Sequence, residues 1–504
     1  MFGKTLTAGI NGINTTMIEV EADVSQGLPG FEITGNMSAV GREARERVRI
    51  ALKNVGIKLP PSKITINLSP ANVYKSGTHY DLAIVVAILE AIGVLQREQT
   101  ENYLFAGELS LDGGINPIRG ALPLTIEAKN GGVNNIILPA ANAKEGAVVG
   151  GINVIGVSNL QECMELLLGR RNITPTIADC DTGEAEYDDF VDIKGQRNLK
   201  RAMLVAAAGM HNMLIYGPPG AGKSMAARRM AGIMPVMTKE ESLEVSKLYS
   251  ISGLLNSELA YISNRPFRSP HASISKAAFC GGGNPPVPGE ISLAQSGILF
   301  MDEFNQFSND VIESLRVPLE TGVARIQRSN GSYEYGANCL LVAAMNPCKC
   351  GFYPDMNKCS CSEADIKRYL GKISRPILER IDIFVNAERI SYSESQYSDD
   401  EYNTENMRRM VEAAIQIQKT RFAGTDIRYN SGIPDKKMDE MCVMDNDARE
   451  LIKQVYDKYS ISLRTYFKIL KVARTIADLD NNEKISFANI CEAVSYKNME
   501  VFNA

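Results

Sequence analysis

One stretch of the chain combines glycines, a lysine and a hydroxyl at the spacing of a phosphate-binding loop. Its eight residues match the template G-x-x-x-x-G-K-[S/T] at every fixed position: Gly217, Pro218, Pro219, Gly220, Ala221, Gly222, Lys223 and Ser224. The glycines let backbone N–H groups close around phosphate oxygens, Lys223 would reach the β- and γ-phosphates, and Ser224 would coordinate Mg²⁺. An apolar run precedes the octet and a helix-forming run follows it, as such a site requires. We therefore predict a site for ATP and Mg²⁺.

Two later apolar runs end in polar residues that would complete this site. Residues 297–301 are followed by Asp302, which suits the Mg²⁺ shell, and by Glu303, which suits orientation of the attacking water. The run 340–345 ends at Asn346, whose amide suits the γ-phosphate or the water. The alternatives are acids that only cap a strand and an asparagine that only starts a turn. The distance of about 80 residues between the loop and the acids favours the catalytic interpretation.

Four of the ten cysteines form a second pattern with possible chemistry. Two C-x-C pairs are separated by eight residues: Cys348, Cys350, Cys359 and Cys361. Two close thiolate pairs across a short loop suit a tetrahedral Zn²⁺ ion, and four thiolates would leave no open position for catalysis. Reduced thiols without a metal are the alternative. The loop follows Asn346 directly, so a metal there would support the strand end that carries this residue.

The chain around these motifs has an ordinary soluble composition. Its 504 residues suffice for about three domains. It has no apolar run near the roughly 20 residues that span a bilayer, and its start shows no secretory signal, so a cytoplasmic location and no membrane partner are expected. The net charge of −5 gives no bulk support to nucleic-acid binding, which would need a local basic surface.

The order of predicted elements divides the chain into three folded parts. Residues 1–172 alternate strand and helix signals and predict an α/β domain, and residues 173–189 are an acidic linker with little apolar content. Residues 190–390 hold the nucleotide motifs and predict alternating strands and helices around a parallel sheet. Residues 391–504 are rich in helix formers at helical spacing, which predicts a helical domain.

Several stretches resemble the YifB/ComM family of magnesium-chelatase-like AAA+ ATPases. The matching segments are residues 192–196, 206–212, 265–271, 281–283, 288–294 and 344–348. The resemblance covers nearly the whole chain. It implies an α/β fold made of an N-terminal Lon-protease-like (ribosomal S5-like) domain, a central AAA+ phosphate-loop domain and a C-terminal helical lid. It also implies a hexameric ring.

The resemblance assigns further residues to hydrolysis. Arg380, in the segment 379–382, resembles the arginine finger that reaches a neighbouring subunit's nucleotide and stabilises transition-state charge. Arg464, in the segment 462–464, resembles the second sensor near the γ-phosphate. Without the resemblance, an ordinary surface ion pair would explain each arginine as well.

A predicted hairpin near residues 323–333 is the candidate contact with DNA. Its turn would be formed by Asn330 and Gly331. In related ring helicases a hairpin in this place projects into the central pore. Arg325 and Arg328, near its tip, suit sequence-independent contacts to phosphates, and ring symmetry would repeat the patch sixfold. The alternative is a solvated hairpin whose arginines serve solubility. The segment 265–271 and Lys276 are weaker candidates for the same contact.

The Lon-like domain lacks the residues of a Lon-type peptidase. That chemistry needs a serine activated by a lysine, and those positions fall near His79 and Leu124. Ser76 and Lys75 are adjacent, so their side chains should point apart. We expect a non-proteolytic domain.

These observations predict an ATP-hydrolysing ring motor on DNA that promotes branch migration or unwinding. The resemblance implies strand integration during natural transformation, with single-stranded or branched DNA as the partner. A chelatase-like motor that remodels a protein partner is the first alternative. The remaining alternatives are a Lon-like protease and a nucleotide-gated scaffold. The missing serine and lysine argue against a protease. Glu303 and Arg380 argue against a scaffold, which would not need them.

Overall fold

The computed structural model describes residues 1–178, 187–256, 258–328, 331–353, 355, 357–390 and 400–497. Part of the predicted linker 173–189, the hairpin-turn residue Asn330 and the predicted boundary at 390/391 lie outside these ranges. Within them, no helix is both long enough and apolar enough to cross a bilayer.

The N-terminal region is an α/β domain built around one apolar helix. Helix Asp81–Ala91 is buried at nearly every position and packs on the first two strands, because its sequence is apolar on all sides. The strands are β1 (Phe2–Asn11), β2 (Asn14–Ser25), β3 (Gly30–Thr34), β4 (Lys63–Ser69), β5 (Tyr103–Phe105), β6 (Glu108–Leu109), β7 (Ile115–Asn116), β8 (Asn135–Pro139) and β9 (Asn153–Val157). The other helices are Ala39–Arg42, Ala44–Asn54, Arg97–Thr100, Ala121–Asn130, Ala143–Ala147 and Leu160–Leu167. Among the described residues the main sheet has seven strands in the order β3-β4-β2-β1-β5-β8-β9.

The central region contains the predicted parallel sheet. The strands of this region are β10 (Met213–Tyr216), β11 (Phe267–Arg268), β12 (Gly281–Gly282), β13 (Val287–Pro288), β14 (Ile298–Met301), β15 (Val323–Arg328), β16 (Gly331–Gly336), β17 (Leu340–Met345) and β18 (Ile383–Asn386). Of these, β12–β13 and β15–β16 form separate two-stranded sheets. The sheet has the order β11-β14-β17-β10-β18, and each pair of neighbours is parallel. The helices are Arg197–Gly209, Lys223–Arg229, Lys239–Ser252, Lys276–Cys280, Glu290–Leu293, Asn309–Ser314, Pro318–Thr321, Glu363–Leu370 and Arg375–Leu378. All five carboxyl ends therefore face one edge, where ligands bind in open parallel sheets.

The N-terminal domain rests on the central domain at the β15–β16 hairpin and at helix Lys239–Ser252. The Gly120 N–H donates to the Ser250 carbonyl at 3.1 Å, and Ile13 packs against a cluster shared by that helix and the hairpin. The cluster consists of Leu248, Ile326, Tyr333 and Tyr335. The first domain therefore contacts the hairpin near its turn, at Tyr333 and Glu334.

The C-terminal region is helical, as predicted. Its helices are Thr404–Arg421, Met438–Met441, Asn446–Tyr459, Leu463–Leu479 and Phe487–Ser495. Helices Thr404–Arg421 and Leu463–Leu479 both pack on Arg197–Gly209, so one apolar core joins the helical region to the sheet. The mixed α/β fold with a helical C-terminal region is thus confirmed, while the exact domain boundaries stay predictions.

Candidate functional site

The phosphate loop follows β10, which lies between β17 and β18, and enters a helix at Lys223. The loop's Gly217 is close to β18: a Cβ atom there would lie 2.2 Å from the Ala387 carbonyl oxygen. Gly220 and Gly222 have φ angles of 77° and 83°, which side chains adopt only with strain. The octet therefore needs glycine at these positions for reasons of packing and backbone shape.

The Lys223 ammonium joins the loop to the neighbouring strand. Its Nζ donates to the carbonyls of Gly217 and Pro218 at 2.8 and 2.9 Å and to Asn346 Oδ1 at 3.0 Å. The side chain is only 9% exposed, and burial lowers the pKa of Lys223 while the carboxylates of Asp302 and Glu303 act in the opposite direction. The Lys223 ammonium and the Asn346 amide are therefore in contact at the carboxyl edge of the sheet.

A hydroxyl and a carboxylate meet beside this point. Ser224 Oγ donates to Asp302 Oδ2 at 2.5 Å, and Asp302 Oδ1 accepts the Glu303 N–H at 2.9 Å. Hard oxygen ligands of this kind suit Mg²⁺, so the pair fits the ion that the loop motif requires. Glu303 is exposed and has a φ of 49°, a strained backbone region that recurs at functional sites.

The two arginines lie at the opposite edge of the sheet. Arg380 precedes β18 by three residues, donates to the carbonyls of Arg316 and Pro376 at 3.0 and 2.7 Å, and pairs with the Glu320 carboxylate. Arg464 Nη2 reaches Glu320 Oε1 at 3.1 Å. The hydrogen bond from Arg380 holds the pKa of Glu320 below its usual value.

Both arginines line a cavity of about 540 Å³ that contains no residue of the phosphate loop. Its wall includes Met210 and Asn212, which precede β10, whereas the phosphate loop follows β10. Arg380 and Arg464 therefore lie close to each other and away from the phosphate loop of their own subunit.

The four cysteines cluster at the carboxyl edge. Their Sγ atoms all lie within 4.8 Å of one another, with separations of 3.3 Å (Cys348–Cys350), 3.7 Å (Cys348–Cys359) and 3.5 Å (Cys350–Cys359). They carry no disulfide. Zinc–thiolate bonds of about 2.3 Å in a tetrahedron place sulfurs about 3.8 Å apart, so the donor set and its size fit Zn²⁺.

The hairpin arginines differ in their surroundings. Arg325 Nε lies 2.8 Å from Glu334 Oε1 on the paired strand, and both side chains are about half exposed. Arg328 is the last residue of β15 and is exposed. Arg325 therefore carries a partly neutralised charge, and Arg328 is the more available cation of the two.

The two positions at which the serine and lysine of a Lon-type peptidase would fall are occupied by His79 and Leu124. His79 is buried, its Nε2 lies 2.9 Å from the Ala8 carbonyl, and burial lowers the pKa of the imidazole to about 4. Leu124 is buried. The Lys75 ammonium donates to the Pro70 carbonyl, while Ser76 lines a cavity of about 350 Å³.

Two residues at these sites were not singled out by sequence reasoning. Gln196 donates from Nε2 to the carbonyls of Ala221 at 3.2 Å and Glu388 at 2.5 Å, which ties the phosphate loop to the chain after β18. Its only signal was its place in the matching segment 192–196. Glu320, which holds both arginines, had no local signal.

Comparison with known proteins gives matches along the whole chain. Three family models match: "Magnesium chelatase, subunit ChlI" over residues 189–395, "Subunit ChlI of Mg-chelatase" over 20–142, and "Magnesium chelatase, subunit ChlI C-terminal" over 401–497. Competence protein ComM of Haemophilus influenzae is 35% identical over 97% of this chain and 96% of its own. YifB of Salmonella typhimurium is 36% identical over 96% and 95%. The magnesium-chelatase 38 kDa subunit of Rhodobacter capsulatus is 25% identical over 31% of this chain and 50% of its own.

Proposed function

Because this chain belongs to the YifB/ComM family of magnesium-chelatase-like AAA+ ATPases, we propose that it is an ATP-driven ring motor that acts on DNA. The observation that carries the ATPase part is the meeting of Lys223, Asn346 and the Ser224–Asp302 pair at one edge of the parallel sheet. These groups follow the three neighbouring strands β14, β17 and β10. Each of them would have a different role in phosphoryl transfer.

The proposed hydrolytic roles follow from these positions. Backbone N–H groups of residues 220–224 and the Lys223 ammonium would hold the β- and γ-phosphates. Ser224 and Asp302 would hold Mg²⁺, which neutralises phosphate charge when bound. Glu303 would orient and polarise the attacking water, and Asn346, already bonded to Lys223, would contact the γ-phosphate or the water.

A ring is proposed because the arginines lie at the amino edge of the sheet. A side chain there is remote from its own subunit's phosphate loop and would face the loop of a neighbour in a head-to-tail ring. Arg380 and Arg464 would then both stabilise charge on the neighbour's γ-phosphate. Glu320 would release or share the two guanidiniums when that phosphate arrives. By family resemblance the ring is a hexamer.

DNA is the proposed substrate because the relative ComM is named a competence protein. We infer branch migration or strand integration during natural transformation, with the β15–β16 hairpin as the contact. Arg328 is exposed near the tip and would contact phosphates without reading sequence. A location in the cytoplasm would follow from that substrate.

The second candidate is a chelatase-like motor that remodels a protein partner. It is favoured by the chelatase family models that match all three parts of the chain. The Arg325–Glu334 ion pair also weakens the positive field that DNA would meet at the hairpin.

One assay separates the two candidates. ATP hydrolysis by the purified protein is measured with and without forked DNA at increasing salt concentration. Stimulation by DNA that fades with salt is expected for a motor that contacts phosphates. Hydrolysis that is indifferent to DNA at every salt concentration would refute the DNA proposal and favour a protein partner.

A further inference from the structure

The four cysteines lie in residues 347–362, a segment that follows β17 and that we call the knuckle. Cys348 lies two residues after Asn346 and is fully buried. Its Sγ accepts the N–H groups of Gly351 at 3.2 Å and Tyr353 at 3.5 Å. Hydrogen bonds of this kind from the backbone fix the position of a sulfur, as the outer contacts of metal ligands do.

The knuckle also touches the phosphate loop. Gly351 has a φ of 82°, and a Cβ atom on it would lie 2.4 Å from Pro219 Cδ. The backbone of the knuckle is therefore pressed against the proline ring in the middle of the octet. No other residue type fits at 351 without displacing Pro219, because both the backbone angle and the space exclude a side chain.

A second contact reaches the other side of the loop. The Arg389 guanidinium lies 5.1 Å from the centre of the Phe352 ring. Arg389 follows Glu388, whose carbonyl accepts Gln196, and Gln196 also donates to Ala221 of the loop. The knuckle thus borders the phosphate loop directly at Pro219 and indirectly at Ala221.

Among the residues that the structure describes, the knuckle contains no regular secondary structure that could hold its shape. In the described part of residues 347–362 the backbone forms turns and bends but no helix or strand. Thiols 3.3–3.7 Å apart attract one another only weakly, and ionised thiolates repel. A bound Zn²⁺ would supply the free energy that holds such a segment in one conformation.

We propose that the four cysteines bind one Zn²⁺ and that the zinc-closed knuckle holds Pro219 in the conformation that binds ATP. Zinc occupancy would then control nucleotide affinity in each subunit. The inference rests on the proposed ATP function. It adds a structural metal that keeps the wall of the phosphate loop in place through the Gly351–Pro219 contact.

The first test measures zinc and nucleotide affinity on the full chain. Elemental analysis should find one zinc per chain in the wild type and none in the double variant Cys359→Ser/Cys361→Ser. Neither cysteine of this pair is Gly351, the residue that touches Pro219. The double variant should bind a fluorescent ATP analogue with about a tenfold higher Kd, the size of a typical coupling between neighbouring residues. Cys280→Ser/Cys491→Ser, which alters cysteines outside the cluster, should keep both zinc and affinity.

A second experiment uses the wild-type protein and so does not depend on the folding of the double variant. Zinc is removed from the wild type with a chelator, the far-ultraviolet circular dichroism is checked, and Co²⁺ or Zn²⁺ is then restored. Analogue affinity should fall and recover with the metal, and Co²⁺ should show the absorption of a tetrathiolate site. A wild type without bound zinc, or one whose affinity ignores the metal, would overturn the inference.

A double-mutant cycle tests the contact itself. Pro219→Ala should keep zinc but weaken analogue binding. Added to the zinc-free double variant it should cause no further loss, because the contact is already gone. Fully additive losses would overturn the proposed role of Pro219. If the zinc-free protein binds ATP as well as the wild type, the inference fails and the ATP proposal stands. A zinc-containing wild type that binds no analogue refutes both.

Discussion

Two inactive variants should restore each other's activity when they assemble in one ring. Lys223→Ala removes the ammonium at the phosphate loop, and Arg380→Ala removes the proposed finger. Arg380 precedes β18, and Asn386 at the end of β18 pairs with Tyr216 beside the loop. Strand β18 alone separates the two sheet edges by about 10 Å, and Arg380 is held on its own side by the carbonyls of Arg316 and Pro376. The finger must therefore act on a neighbour if it acts at all.

The expected recovery follows from the arrangement of subunits. Each variant alone should hydrolyse ATP about 10³-fold more slowly than the wild type. In an equal mixture assembled at random, about a quarter of the interfaces combine an intact loop with an intact Arg380. Turnover should then reach roughly a quarter of wild type, which is a few hundred times either variant alone. The assay is steady-state ATP hydrolysis after the variants are mixed as dissociated subunits and allowed to assemble.

Two matched mixtures control this experiment. Wild type mixed with the double variant Lys223→Ala/Arg380→Ala should also leave about a quarter of interfaces intact. Lys223→Ala mixed with Glu303→Gln should recover nothing, because both defects lie on the same side of the interface. No recovery at any ratio in the first mixture, with recovery in the wild-type control, would refute action in trans.

Three further predictions concern other parts of the molecule. Glu303→Gln should bind ATP but hydrolyse it at least about 10²-fold more slowly, because the water loses its base; normal single-turnover rates would remove Glu303 from this role. Arg328→Ala should reduce DNA-stimulated turnover and the salt slope of DNA binding by about one charge, and Arg325→Ala should reduce them less, because Glu334 already neutralises Arg325; equal losses would contradict that ranking. Burial lowers the pKa of His79 from 6.5 to about 4, so the unfolded chain binds a proton that the folded domain does not bind between these pH values. The His79 contribution to the free energy of unfolding should therefore fall by about 3 kcal/mol as the pH drops from 6.5 to 4. Urea unfolding of wild type and His79→Gln at pH 7 and 5 measures this, and identical pH slopes would refute it.

The sequence predicted much of the nucleotide site, but not the residues that hydrogen-bond to it from elsewhere in the chain. Lys223, Ser224 and Asp302 were identified from short local patterns, and the structure brings them together at one edge. Gln196 and Glu320 were not, because each acts through a partner far along the chain: Glu388 for the first, and Arg380 and Arg464 for the second. A glutamine or a glutamate at a helix end has many ordinary uses, so neither carried a local signal.

The hairpin shows the same limit on a smaller scale. The hairpin was predicted from the Asn330–Gly331 pair, and β15 and β16 do pair. The cross-strand register then set Arg325 opposite Glu334, which changes the charge that this surface presents. The register depends on how the strands meet, and the predicted turn alone did not define which side chains would neutralise each other.

The sequence by itself determined the chemistry that is written in contiguous residues. A phosphate loop, a strand that ends in two acids and a pair of C-x-C motifs each combine their groups within one segment of at most 14 residues, so composition and spacing suffice. Only the tertiary structure decided what depends on strand order and long-range packing. It set Arg380 and Arg464 at the sheet edge away from Lys223, and it pressed Gly351 against Pro219. Such contacts join residues more than a hundred positions apart, and they exist only once the parallel sheet has brought the ends of its strands together.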